Sequence, residues 1–275
     1  MSVSDIQAID VHAHYGRWDR EGMDLTSTMM SGDAQHVIDR ARLANTCLTV
    51  VSPLQALMPR FQGDPVGGNE HAAQLMPQHP ELRQWVVIDP RKPDTYGQAE
   101  QMLALPGCVG IKIHPEEHGY PIKEYGRQIF EFAAKHRAIM LTHSGEANSL
   151  PEDFVPFAND FPEVRLILAH IGCTIDRDPG HQVYAVQQSK HGNIFADTSS
   201  GQSVTSSLIE WAVGEIGSEK ILYGTDTPLF FAPMQRARID HAEMADADKK
   251  RILRDNAMEL FQFSDGCIPS QSIHS

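Results

Sequence analysis

Five of the fourteen histidines in this 275-residue chain, together with one aspartate, stand where chemistry could be done. His12 and His14 form a His-x-His pair, His114, His143 and His170 lie near the ends of later apolar runs, and Asp226 lies near the end of the last. In an extended segment side chains alternate with period two, so residues i, i+2 and i+4 share a face. Asp10, His12 and His14 are therefore expected on one face of the first run, with Ile9, Val11 and Ala13 on the other, toward the helices. Two imidazoles spaced in this way can both reach one cation, and neutral imidazole is a favoured ligand for zinc and its neighbours. Other histidines, such as His36, His79, His136 and His274, fall in segments of helix, loop or tail character, so the grouping at run ends carries the signal.

Eight short runs rich in aliphatic and β-branched residues must position these groups: 8–15, 47–53, 84–90, 108–115, 138–145, 165–172, 193–199 and 221–228. Segments of helical period separate them. Gly32 to Asn45 puts Val37, Ile38, Ala41 and Ala44 on one face, Tyr120 to Lys135 does so with Ile129, Phe130 and Ala133, and Val204 to Ile216 with Leu208, Ile209 and Ala212. Strand then helix, repeated eight times, predicts an α/β chain folded as one (β/α)8 TIM barrel over residues 1–262, with a polar tail at 263–275. A doubly wound open sheet is the competing architecture, and the lack of a glycine fingerprint after the first run argues against it. Pro151, Pro156 and Pro162 leave room only for a short helix between 150 and 161, and the apolar loop 55–68 is placed over the barrel mouth.

With 41% hydrophobic residues the chain can bury a core of that size, and a net charge of −13 disfavours nucleic acid, so the expected partner is a small molecule. Cys47, Cys108, Cys173 and Cys267 show no Cys-x-x-Cys spacing, which indicates neither a zinc knot nor a disulfide framework. No apolar window reaches about 18 residues and no basic-then-apolar leader opens the chain, so no membrane association and a cytoplasmic location are expected. A homodimer contact is assigned to the apolar loop Phe230 to Pro233.

Ile9-Asp10-Val11-His12-Ala13-His14, Gly110-Ile111-Lys112-Ile113-His114-Pro115, Leu141-Thr142-His143-Ser144-Gly145, Leu168-Ala169-His170-Ile171-Gly172 and Gly224-Thr225-Asp226-Thr227-Pro228 resemble, in order, the successive motifs of the amidohydrolase superfamily. The likeness runs from Ala8 to Phe261 and is greatest to the branch that holds aminocarboxymuconate semialdehyde decarboxylase and related hydrolases. It implies one divalent metal ion, zinc first and manganese or iron(II) as alternatives, held by His12, His14, His143 and Asp226. It also implies that Asp226 is the acid/base and that His170 sits beside the metal as a hydrogen-bonding or transition-state-stabilising group. Binuclear members of the superfamily bridge two metals with a carboxylated strand-four lysine, but the Gly-x-Lys-x-His-Pro form here resembles mononuclear members. Lys112 and His114 are accordingly expected to bind substrate. Arg17 and Arg60 are candidates for clamping an anionic substrate.

The expected reaction is hydrolysis of a small amide, lactone or ester, with the pKa of a metal-activated water lowered from about 15.7 toward about 7. A non-oxidative decarboxylase of a small carboxylic acid is the alternative, in which Asp226 protonates carbon. An arginine reaching the ligand would favour decarboxylation, and an unclamped, water-filled pocket would favour hydrolysis. A catalytically inactive binding barrel is the third reading, and it predicts a lost ligand position where none is lost.

Overall fold

The computed structural model describes residues 2–264. Its strands are β1 (Ala8–Tyr15), β2 (Thr46–Pro53), β3 (Leu82–Val87), β4 (Cys108–Ile113), β5 (Ile139–Thr142), β6 (Leu166–Leu168), β7 (Ile194–Asp197) and β8 (Ile221–Leu222). They form one parallel sheet in sequence order, and a helix packs between each consecutive pair, as in a (β/α)8 barrel. Closure comes from backbone bonds between β1 and the segment following β8. Val11 N donates to Tyr223 O at 2.9 Å, Asp226 N to His12 O at 2.7 Å and His14 N to Thr227 O at 2.6 Å.

Local chemistry sets the helix ends. Asp33 caps the helix Ala34–Leu43 by accepting from His36 N, and Asp64 caps Pro65–Leu75 by accepting from Gly67 N, with a proline at the first position where no N–H is needed. Ile122–His136 and Leu208–Ile216 match their expected apolar stripes, the second starting later because 201–204 forms a 3-10 turn. The segment with three prolines forms a ten-residue helix, Pro151–Asp160, longer than expected because Pro151 occupies the tolerated first position. The loop after β2 lies at the barrel mouth, where Leu57, Met58 and Arg60 line a cavity. Of the expected tail, Phe263 stacks on Phe261 at 5.2 Å between ring centres, and residues 265–275 lie outside the described residues.

One expectation about β1 fails. Ile9 and Val11 pack inside the barrel with Trp85, Leu141, Ile167 and Leu222, while Ala13 faces Val37 and Ile38 of the outer helix. The register against β2 slips between Asp10 and Ala13, where three steps along β1 match two along β2, from Thr49 to Val51. Such a bulge switches the parity of the strand and re-aims the side chains beyond it. His12 and His14 still reach the same cavity, but Asp10 does not share their surroundings. Its carboxyl accepts from His12 N and Thr225 N, and burial pushes its pKa up to about 8 against the opposing effect of those bonds and of the Thr225 hydroxyl.

Candidate active site at the barrel mouth

The later strands end sooner than the apolar runs suggest, and the reason is visible in the backbone. His170 and Asp226 adopt φ of 72° and 57°, a left-handed conformation that side-chain-bearing residues rarely take. Each therefore leaves the ladder: His170 N donates to Asp197 Oδ1 at 3.0 Å, and Asp226 N to His12 O. The turns aim both side chains into a cavity of about 220 Å³ at the C-terminal ends of the strands. Gly224 permits this packing, since a Cβ there would lie 3.0 Å from Ser199 Cβ and 3.1 Å from His12 Cβ.

Three ligand atoms converge in the cavity. His14 Nε2 lies 3.0 Å and His12 Nε2 3.7 Å from Asp226 Oδ1, and all three residues are buried. His14 Nδ1 lies 3.2 Å from the Ser52 carbonyl oxygen, which can only accept, and 2.9 Å from Ser52 Oγ. Nδ1 is therefore the protonated nitrogen, and the Nε2 lone pair faces a carboxylate oxygen. Two acceptors at that distance repel unless a proton or a cation lies between them. The third acceptor, His12 Nε2, makes a cation the better fit, and the partners on both Nδ1 atoms are the usual orienting contacts of metal-binding imidazoles. For His12 that partner is Asp197 Oδ2 at 2.9 Å. Burial holds the pKa values of His12, His114 and His170 well below the ordinary histidine value, which keeps these rings neutral, the form a metal requires.

His143 lines the cavity, stacked on His114 at 4.2 Å between ring centres, but its Nε2 bonds Glu146 Oε2 at 2.7 Å and it stands outside the converging group. The bond from His143 holds the Glu146 carboxyl below its ordinary range. His114 also lines the cavity, and its Nδ1 accepts from Glu117 N at 3.3 Å. Lys112 is fully buried beneath the cavity, with Nζ 3.0 Å from His12 Nε2, and burial lowers its pKa to about 8. Arg17 is not brought to the site, since its side chain is 76% exposed and faces Asp19. Arg60 is, and it donates to Glu117 Oε1 at 2.8 Å.

Sequence reasoning missed Arg20, which lies three residues past Arg17 and donates to the same Glu117 oxygen. Glu117 is buried with its Oε2 free of any hydrogen-bond partner, as is Arg20 Nε. The signal available was Pro115 followed by two acidic residues, the start of a short helix, Pro115–His118, that turns Glu117 back over the mouth. Trp18, Leu54, Leu57 and Leu229 supply the apolar part of the cavity lining, and the Arg20 guanidinium lies over the Trp18 ring, 5.2 Å from its centre.

A barrel whose strand ends bring two imidazoles and a carboxylate together at its mouth has the architecture of a metal-binding (β/α)8 protein. The amidohydrolase family matches residues 9–263, and the chain belongs to that family. No curated protein matches. Among solved structures, the chain is similar to 5-carboxyvanillate decarboxylase from Sphingomonas paucimobilis, with 11% identity, TM-score 0.73, and 94% of this chain and 100% of that one covered. It is also similar to dihydroxybenzoic acid decarboxylase from Polaromonas sp. JS666 with bound manganese and 2-nitroresorcinol, with 13% identity, TM-score 0.72, and 93% and 97% covered. A probable 2-pyrone-4,6-dicarboxylic acid hydrolase from Acinetobacter baumannii with citric acid bound has 17% identity and TM-score 0.67, with 94% and 100% covered. At these identities the likeness establishes the shared barrel fold. Among the described residues no helix is long and apolar enough to cross a membrane.

Proposed function

We propose that this chain is a metal-dependent, non-oxidative decarboxylase of a small hydroxylated carboxylic acid. The observation that carries this reading is the pair Arg20 and Arg60, held together on one oxygen of Glu117 at the edge of the cavity that contains His12, His14 and Asp226. Two guanidinium groups share one carboxylate there, and one of them keeps an unspent N–H, which suits a second anion. The apolar lining of Trp18, Leu54 and Leu57 in the same cavity suits a flat hydrocarbon body. A divalent cation, when bound by His12, His14 and Asp226, supplies Lewis-acid chemistry there. Asp226, a carboxylate while it would hold the cation, would take a proton from water or the substrate hydroxyl and pass it to the carbon whose bond to the carboxyl group breaks as carbon dioxide leaves, and its buried, left-handed position would fix the direction of delivery. His143 is proposed to complete the ligand set by exchanging its bond to Glu146 for the cation. Zinc suits this donor set, and manganese, present in the Polaromonas structure, is the other candidate.

Hydrolysis of a lactone or ester is the second reading, and Lys112 favours it. Its ammonium group is a buried donor beneath His12, placed to offset charge that develops above it. The two are separated by incubating the manganese- or zinc-loaded protein with hydroxybenzoates and with pyrone dicarboxylates. Release of carbon dioxide, with KM raised in Arg20→Met and Arg60→Met, supports decarboxylation; ring opening without carbon dioxide replaces it by the hydrolytic reading. A cytoplasmic location and a homodimer through the 230–233 loop, where Phe231 is 48% exposed, remain part of this proposal, the second checked by light scattering.

A further inference from the structure

Ser199 occupies the centre of a second group of metal-capable atoms, formed by His12, His170 and Asp197. Its Oγ lies 2.9 Å from His12 Nδ1, 2.8 Å from His170 Nδ1, and in contact with Asp197 Oδ1. The hydroxyl thus fills the position a cation would take, and the group is a hydrogen-bond hub. Proton counting at this hub gives one consistent assignment. Asp197 Oδ1 already accepts from the backbone N–H groups of His170 and Ser199, each at 3.0 Å, so toward Ser199 Oγ it is again the acceptor. A serine hydroxyl has a single hydrogen, and the contact with Asp197 uses it. Both imidazole Nδ1 atoms must then donate to Ser199 Oγ, His12 sharing its hydrogen with Asp197 Oδ2. The opposite face of His12 agrees, because without a bound cation the Lys112 ammonium 3.0 Å from Nε2 needs an acceptor there, on the one lone pair that a cation would take in its place.

We propose that Ser199 is a positioning residue that fixes His12 and His170 as Nδ1–H tautomers, so that His170 presents its Nε2 lone pair to the cavity. His170 is then a hydrogen-bond acceptor, the reverse of the donor role that stabilising an oxyanion would need. The group that sits against it in the bound substrate must carry a hydrogen, as a hydroxyl or a water does; a carboxylate or carbonyl oxygen is repelled. Ser199 sets specificity in this way through His170, with no contact of its own to the substrate. The tautomer assignment stands apart from the decarboxylase reading, whereas the preference for a hydroxyl against His170 rests on it.

The test is long-range ¹⁵N–¹H correlation NMR on the metal-free, ¹⁵N-histidine-labelled protein at neutral pH, with the His170 signals assigned by their loss in His170→Gln. The expected spectrum has a protonated Nδ1 and an unprotonated Nε2 for His170, and Ser199→Ala shifts the ring toward the Nε2–H form while Ser199→Thr retains the original pattern. An Nε2–H tautomer in the unaltered protein overturns the proposal even if Ser199→Ala fails to fold. An unchanged His170 tautomer in a folded Ser199→Ala protein overturns it as well. Neither readout needs turnover, so inactivity toward hydroxybenzoates leaves the assignment in place and removes only the decarboxylase reading.

Discussion

Replacing Glu117 by glutamine keeps the side-chain shape and removes the charge that holds Arg20 and Arg60. The Glu117 side chain is 4% exposed and each arginine 31%. A hydrogen bond to a charged group is worth about 1.5–3 kcal/mol, and partial exposure of the guanidinium groups selects the lower end, so the two arginine contacts together hold about 3 kcal/mol. The glutamine carbonyl still accepts from them at roughly half that strength, leaving a net loss of about 1.5 kcal/mol. In a domain of this size that loss lowers Tm by about 3–6 °C, which differential scanning calorimetry resolves. The same loosening of the clamp weakens binding of a hydroxybenzoate by about tenfold in isothermal titration, the equivalent of about 1.4 kcal/mol. A Glu117→Gln protein that melts within about 1 °C of the unaltered one and binds the carboxylate equally well refutes the idea that Glu117 organises the arginines.

Two other consequences concern stability. Arg236 is 4% exposed, and its guanidinium group donates to the carbonyls of Ile6 at 2.8 Å, Val3 at 2.9 Å and Ala44 at 3.2 Å, tying the N-terminal segment to the barrel. Arg236→Ala orphans those carbonyls and is expected to cost about 3 kcal/mol in urea unfolding, with faster amide exchange over the first strand. Glu210 is pushed from 4.5 down to about 2 by the hydrogen bond from Arg238. A depressed carboxyl contributes stability that is present above its unfolded value and lost as pH falls from there toward about 2. Because the pair lies near the surface the contribution is under about 1 kcal/mol, and it appears as a greater loss of stability between about pH 5.5 and about pH 3 in the unaltered protein than in Arg238→Ala.

The barrel was legible because each strand-helix unit repeats its own period, and the repetition survives errors of several residues at strand ends. His12 and His14 were legible because two residues on one short strand need no tertiary information to be neighbours. The bulge was not, since a one-residue slip between Asp10 and Ala13 depends on how β1 meets β2. Nor were the left-handed turns at His170 and Asp226, which cut the ladders short and bend those side chains inward. The choice of Arg20 over Arg17 depends on the path of one loop and on a carboxylate almost a hundred residues away in sequence, so spacing alone carried no signal. Ser199 has no motif around it that marks a function, and its place between His12 and His170 emerges only when β1, β6 and β7 are brought together.

The claim beneath all of these is that His12, His14 and Asp226 form a cation site. Its most direct test is elemental analysis of the purified protein after exchange into manganese or zinc, alongside His14→Ala and Asp226→Asn. One tightly held divalent cation per chain, lost in both folded variants, is the predicted result. A chain that binds no such metal, or variants that hold it as well as the unaltered protein, would contradict it.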